Sequence, residues 1–335
     1  MLSMNRPEIL NIDKAIVDNA VSLWQAGQLV AFPTETVYGL GADAANGEAV
    51  ARVFSIKDRS KFNPLIVHVA EVAIAQRYVQ WNKLADKLVE AFWPGPLTLV
   101  MKRRVFCPIS ELASAGSDTL AIRIPSNPVA LQLLKAFGGG IAAPSANRSG
   151  RVSPTTAQHV TEEFGDAIKL VIDGGPCSLG LESTVIDIST DTPALLRPGS
   201  VTRKALEELI YPKDDKQKVV AAAAKRELRV PEPNEGDPKS PGMMASHYKP
   251  SIPVRLYADT VAADEALLAF GPEPLAGAAN TLNLSPKGDV IEAASNLFAF
   301  LRALDKPEYK AIAVMPIPAE GVGEAIADRL RRASA

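Results

Sequence analysis

TLAIRIPSNPVALQLLKA (119–136) sets the pattern of this chain. TLAIRI (119–124) is short, apolar and rich in β-branched residues, so it reads as a strand, and Pro125 closes it. A helix is expected over about 127–136. The same units recur outward on both sides. QLVAF (28–32), LIVHV (65–69), LTLVM (97–101), KLVID (169–173) and TVIDI (184–188) read as strands. Ile12, Ala15, Ile16, Ala20, Leu23 and Trp24 fall near helical spacing until Gly27. Val50, Val53 and Phe54 mark another helical face. Further helices are expected at about 154–164, with Ser153 as N-cap and Pro154 at N1, and at about 202–210. Strands interleaved with helices argue an α/β layered domain.

Beyond Tyr211 the character changes. KDDKQK (213–218), KRELR (225–229) and PEPNEGDPKSPG (231–242) are charged, and the last is rich in Pro and Gly, a linker composition. Then IPVRLY (252–257) reads as a strand and VAADEALLAF (261–270) as a helix. IEAASNLFAFLRALD (291–305) is an amphipathic helix, AIAVMPIP (311–318) a strand and GEAIADRLRRA (323–333) a last helix. The expected division is a domain at 1–210, a linker at 211–250 and a βα module at 251–335.

Composition narrows the function. With 335 residues, 47% hydrophobic and 22% charged, the chain has material for a sizeable core, which excludes disordered, collagenous and coiled-coil proteins. A net charge of −2 argues against a general nucleic-acid coat. No apolar run approaches a membrane span, and MLSMNRPEILNIDK (1–14) lacks the apolar core of a signal peptide, so a cytoplasmic protein without a membrane partner is expected. Cys107 and Cys177 make no CxxC pair, hence neither a disulfide framework nor a cysteine zinc site. The 26 prolines, about 8% against a usual ~5%, close short apolar runs, as in AFP (31–33), AAPS (142–145) and LLRPG (195–199). Strands therefore end in tightly specified loops.

Five polar segments carry the candidate chemistry. In KDRSKFNP (57–64) Lys57, Arg59 and Lys61 alternate; in an extended loop they would share one face and suit a polyphosphate, although such a run is as often a solvated loop. PTETVYGLGADA (33–44) packs Thr34, Glu35, Thr36 and Tyr38 onto a strand-exit loop, which either admits a ligand to the backbone or caps a turn. Ala44 stands where a dinucleotide fingerprint needs its third glycine. APSANRSGRVSPT (143–155) leads Ser145, Asn147, Ser149 and Ser153 into a helix N-terminus, an anion site as well as a plain cap. GLESTVIDI (180–188) brings Glu182, Ser183 and Thr184 to a strand start, and LLRPG brings Arg197 to a strand end. His68 reads as a core or strand-face histidine and His159 as an inert surface residue. Neither HExxH nor GxSxG occurs, so zinc hydrolysis and an α/β-hydrolase nucleophile are unsupported.

Taken in order, PTETVYGLGADA, KDRSKFNPLIVHV, FWPGPLTLV, LAIRIPSNPVALQLL, IAAPSANRSGRVSPTTAQHV, DGGPCSLGLESTVID and LLRPG closely resemble the YrdC-like threonylcarbamoyl-AMP synthases. SPGMMASHYKP (240–250) is similar to the linker motif of that family's long form. The resemblance implies a YrdC-like twisted mixed-sheet domain with an open concave cleft, plus a smaller Rossmann-like α/β C-terminal domain, with 211–250 as linker and lid. It implies a nucleotidyltransferase that turns L-threonine, bicarbonate and ATP, with Mg²⁺, into threonylcarbamoyl-AMP and pyrophosphate. The product would pass to the machinery that modifies adenosine 37 of tRNAs reading ANN codons; a direct tRNA contact stays open.

The resemblance also distributes roles. Lys57 and Arg59 would hold the phosphates and carry catalysis, with Lys61 as helper. Asn63, Thr119, Ser145, Ser153, Arg197, Ser246 and His247 look like further ATP contacts. Thr36, His68, Arg123, the backbone at Ala143, and Ser183 look like threonine contacts, Arg123 pairing the carboxylate by a bidentate fork. No metal ligand is implied. Met244, Ala245 and Ser246 stand where family linkers often carry basic residues. Two rivals are a hydrogenase-maturation carbamoyltransferase, whose zinc-finger cysteines are missing here, and a non-catalytic RNA-binding module, which the charge and the 6% aromatic content disfavour.

Overall fold

The computed structural model describes residues 12–212, 228–229 and 247–335. Within them, nine strands form one mixed sheet: β1 (Val30–Phe32), β2 (Gly39–Asp43), β3 (Ile66–His68), β4 (Leu97–Lys102), β5 (Thr119–Arg123), β6 (Ile141–Ala142), β7 (Leu170–Val171), β8 (Thr184–Asp187) and β9 (Ala194–Arg197). Their order is β7-β1-β2-β6-β3-β5-β4-β8-β9. Helices α1 (Lys14–Gln25), α2 (Gly47–Ile56), α3 (Val72–Tyr78), α4 (Lys83–Phe92), α5 (Pro128–Phe137), α6 (Ala157–Phe164) and α7 (Arg203–Ile210) accompany it. The strand–helix unit at 119–137 forms as its sequence predicts. Asn127 caps α5 by accepting from the Ala130 amide, Pro128 sits in the first turn, and Gly138 ends the helix in the left-handed conformation.

Two expectations for this sheet need correcting. Residues 39–43 are not loop but strand β2, antiparallel to β1. Their Gly-Leu-Gly-Ala run shows none of the usual strand composition. Its reason is packing, since a Cβ on Gly41 would stand 2.8 Å from both Phe32 and Ile141. Helix α6 starts at Ala157, where Thr156 accepts from the His159 amide, rather than at Pro154. Ser153 is not its cap, because its hydroxyl donates to Glu182 Oε1 at 2.6 Å. Helices α3 and α4 have no counterpart in the sequence reading.

A second, all-parallel sheet is built from β10 (Val254–Arg255), β11 (Ala266–Ala269), β12 (Asn280–Asn283) and β13 (Ile312–Val314), in the order β10-β13-β11-β12. Helices α8 (Val290–Leu304) and α9 (Gly323–Ala333) follow the sequence closely. The helix expected over 261–270 does not form, and its centre is strand β11. All four of its residues are buried, Ala266 and Leu268 in one apolar cluster with α8 and Leu267 and Ala269 in another with Ala258 and Ala313. A strand covered on both faces loses the alternation that would distinguish it from a buried helix.

The apolar core of this second unit includes Leu268, Leu297, Phe298, Ile312, Ile326 and Leu330. Val37, Val152, Leu181 and Tyr248 belong to the same cluster. They are the immediate sequence neighbours of Thr36, Ser153, Glu182 and His247. Ionic ties join the two units as well: Arg302 of α8 donates to the Val152 carbonyl (2.6 Å) and pairs with Glu163 of α6 (3.2 Å), and Arg203 of α7 pairs with Glu324 of α9.

Candidate active site

Strand order brings the expected residues together. β3 and β5 run parallel with His68 opposite Arg123, and β6 lies on the other side of β3 with Ile141 opposite His68. The Ala143 amide continues this pairing by donating to the Ile66 carbonyl (2.9 Å). Along one edge of these strands opens a cleft of about 530 Å³, counting its mouth. Its walls include all five expected threonine contacts: Thr36, His68, Arg123, Ala143 and Ser183. Of the expected ATP contacts, Arg59, Ser145, Arg197 and His247 line it. Asn63, Thr119, Ser153 and Lys57 do not. Ser246 lies outside the described residues.

At one end sits Arg123. Its Nε donates to the Gly95 carbonyl (3.0 Å), Nη1 to Thr36 Oγ1 (2.9 Å), and Nη2 pairs with Glu35 Oε1 (2.6 Å). The guanidinium is therefore spread over three internal partners. A carboxylate can meet only the remaining N–H on each Nη, a narrower fork than the sequence suggests. His68 is buried beside it, and burial, then the charge of Arg123, push it down to about 3. The imidazole is neutral, and its Nδ1 has no hydrogen-bond partner among the described residues. Thr34 and Thr36 share a hydroxyl–hydroxyl hydrogen bond (2.8 Å) that fixes the loop.

At the other end, Arg197 donates from Nε to the Ser183 carbonyl (3.0 Å) and from Nη2 to Ser183 Oγ (3.1 Å). Burial pushes its pKa down. Arg59 donates to the carbonyls of Asn63 (3.1 Å) and Pro64 (2.9 Å), and burial, then Arg197, hold its pKa down at about 9. The expected alternating face of Lys57, Arg59 and Lys61 does not exist. Lys57 is the C-cap of α2, Asp58 turns the chain with φ +51°, and Lys61 points into solvent. Lys57 is only 1% exposed. It donates to the carbonyls of Ser145 and Asn147, with its pKa lowered by burial and then by Arg59. It thus shapes the loop that presents Ser145. Thr119 pairs with Ser117 Oγ (2.9 Å), and His159 Nδ1 accepts from the Thr155 amide (3.2 Å).

Glu182 and Tyr248 also line the cleft; the sequence offers Tyr248 as a nucleotide contact and gives Glu182 no ligand. Glu182 was visible in GLEST, yet its partner Arg329 lies 147 positions away, with no local signal. Tyr248 adopts φ +65° and stacks on Phe298 of α8 at 5.3 Å. His247 borders the cleft, pushed down to about 3 chiefly by burial, and its amide donates to the Arg332 carbonyl (3.3 Å). Among the described residues no three His, Cys, Asp or Glu cluster as a metal site.

A mixed sheet with a cationic, hydroxyl-lined cleft is thus joined to a parallel-sheet unit in a two-part α/β architecture. The family model described as "Telomere recombination" matches residues 22–199, and the one described as "Threonylcarbamoyl-AMP synthase, C-terminal domain" matches 201–335. The threonylcarbamoyl-AMP synthase of Bacillus subtilis is 35% identical, covering 99% of this chain and 94% of its own. That of Pyrococcus abyssi is 38% identical, covering 94% and 93%. The crystal structure of the Pyrococcus abyssi protein Sua5 complexed with L-threonine superposes with a TM-score of 0.86 at 34% identity, covering 96% of this chain and 95% of that one. The chain belongs to the threonylcarbamoyl-AMP synthase family, in its long form. Both rival readings yield to this membership, because the two models account for nearly the whole chain. No helix among the described residues is long and apolar enough to cross a membrane.

Proposed function

We propose that this enzyme joins L-threonine, bicarbonate and ATP into threonylcarbamoyl-AMP and pyrophosphate in the described cleft. The carrying observation is the adjacency of two differently equipped ends: Arg123, Thr36 and His68 at one, Arg59, Arg197 and Ser145 at the other, with Ser183 bonded to Arg197. The first end suits a carboxylate and a hydroxyl, the second a polyphosphate. The amino group of threonine condenses with bicarbonate to a carbamate, forming the N–C bond and releasing water. A carbamate oxygen then attacks the α-phosphorus of ATP as the bond to the pyrophosphate oxygen breaks. Charge accumulates on the leaving pyrophosphate, where Arg59 and Arg197 stand; such fixed cations and positioning can supply much of the barrier reduction without a protein nucleophile. Lys57 acts by holding the Ser145–Asn147 carbonyls in place. Glu35 and Glu182 are both engaged by arginines, so Mg²⁺ would enter on the phosphates of ATP rather than in a protein cage.

In this reading residues 1–210 and 251–335 are two domains, with His247 facing ATP; most of the lid expected at 211–250, Ser246 included, lies outside the described residues. The enzyme works in the cytoplasm, and its product is consumed by a transferase that modifies position 37 of tRNA. Pyrophosphate release that requires ATP, threonine and bicarbonate together, with the product identified by mass spectrometry, tests the assignment. Release indifferent to threonine defeats it.

A further inference from the structure

Helix α9 supplies a buried cation to the wall of the cleft. Arg329 is fully buried; its Nε donates to Glu182 Oε2 (3.0 Å), and its Nη1 to the Pro198 carbonyl (2.9 Å) and Asp328 Oδ2 (2.9 Å). Glu182 and Pro198 are the sequence neighbours of Ser183 and Arg197. One guanidinium from the second unit therefore ties both segments that carry that pair. The same guanidinium lies 5.5 Å from the ring centroid of Tyr248, and the His247 amide is held by the Arg332 carbonyl, also on α9.

We propose that Arg329 is a positioning residue for the reaction, locking the Glu182–Ser183, Arg197–Pro198 and His247–Tyr248 segments into one wall so that seating of α9 completes the cleft. This rests on the function proposed above. Buried ion pairs contribute little net stability. Holding α9 in place needs none, since Leu330 and Ile326 already fix it by apolar contact. What the arginine adds is the placement of the His247–Tyr248 segment and of α9 against the Glu182–Ser183 and Arg197–Pro198 segments, which the β8–β9 pairing already joins.

Glu182 reports on the tie. Facing it are Arg329 from α9, Arg197 from β9, Ser153 from the loop before α6, and His247 and Tyr248 from the segment after the linker. Burial pushes its carboxyl up, but Arg329, then Arg197 and the Ser153 hydroxyl, bring it below its ordinary range. Without Arg329 its pKa rises.

The test is threonine-dependent pyrophosphate release by the full chain, from roughly pH 5.5 to 9, in the parent, R329M, R329K and R329M/E182Q. R329M is expected to lose about 10- to 100-fold in kcat/KM near neutrality, the worth of one charge-assisted hydrogen bond. It should partly recover as pH rises and Glu182 ionises. That acid limb should be missing from the parent and from R329M/E182Q. R329K keeps the charge but not the fork, and should fall between parent and R329M. Parental kinetics and pH profile in R329M overturn the proposal. If R329M does not fold, R329K decides, and parental kcat and KM there overturn it. A parent without threonine-dependent release defeats the underlying function instead, whereas an active parent with an unchanged R329M defeats only the role of Arg329.

Discussion

His68 on β3 and Arg123 on β5 are register partners on adjacent parallel strands, so a neutral imidazole stands beside a fixed cation. The site thus has a pH signature. His68 and His247 are both pushed down to about 3, from an ordinary 6.5, chiefly by burial. As pH falls below 6.5 the unfolded chain takes up these protons and the folded one does not. The stability tied to them is fully present above that value and is lost progressively toward pH 3. Each histidine contributes a slope of about 1.4 kcal/mol per pH unit within the window. Denaturant unfolding between roughly pH 8 and 4 should show it, and H68Q should reduce the slope; an unchanged slope in H68Q removes this account.

Arg59 and Lys57 should fail differently. Arg59→Ala removes a cation from the cleft wall, so kcat/KM for ATP should drop about 10- to 100-fold, with a smaller loss of melting temperature than in Lys57→Ala because its Asn63 and Pro64 carbonyl contacts are only part-buried. Lys57→Ala leaves the Ser145 and Asn147 carbonyls without their buried donor. It should lose activity and also about 1–3 kcal/mol of stability. Melting curves beside pyrophosphate assays separate the two, and equal melting temperatures would refute the buried role of Lys57.

Amino-acid choice follows from the hydroxyl-lined end. Valine is isosteric with threonine but leaves polar groups unpaired, so discrimination of order 10⁴–10⁵ is expected. Serine lacks one methyl and should be about 10- to 200-fold worse. Comparable turnover of valine would contradict a threonine site at Thr36, His68, Arg123 and Ser183.

The segment after the linker should protect the product. Tyr248 is held between Phe298 and Arg329, and His247 closes one side of the cleft. In H247A/Y248A water reaches both the carbamate and the mixed anhydride. The ratio of recovered threonylcarbamoyl-AMP to pyrophosphate should fall. An unchanged ratio would reduce the segment to a tether.

What could be read in advance depended on how local the cause was. The strand at 119–123 and helix α5 are specified by β-branched residues, a capping Asn127 and Gly138, all within the segment. Strand β11 escapes such reading because both its faces are buried by clusters, one of them with α8, that lie outside its window. The residues proposed for threonine were named by ordered motifs, and the structure brings them to one cleft. The reach of Lys57 to the 145–147 loop, the hold of Glu35 on Arg123 and the tie of Glu182 to Arg329 are tertiary. Neither spacing nor composition encodes such pairs.

Val37, Val152 and Leu181 lie in the apolar cluster of the second sheet, one residue from Thr36, Ser153 and Glu182. Excising the second sheet would therefore leave a greasy scar around the mouth of the cleft itself. Such a fragment would tend to stick to its own kind there, occluding the site by self-association, whatever became of its chemistry.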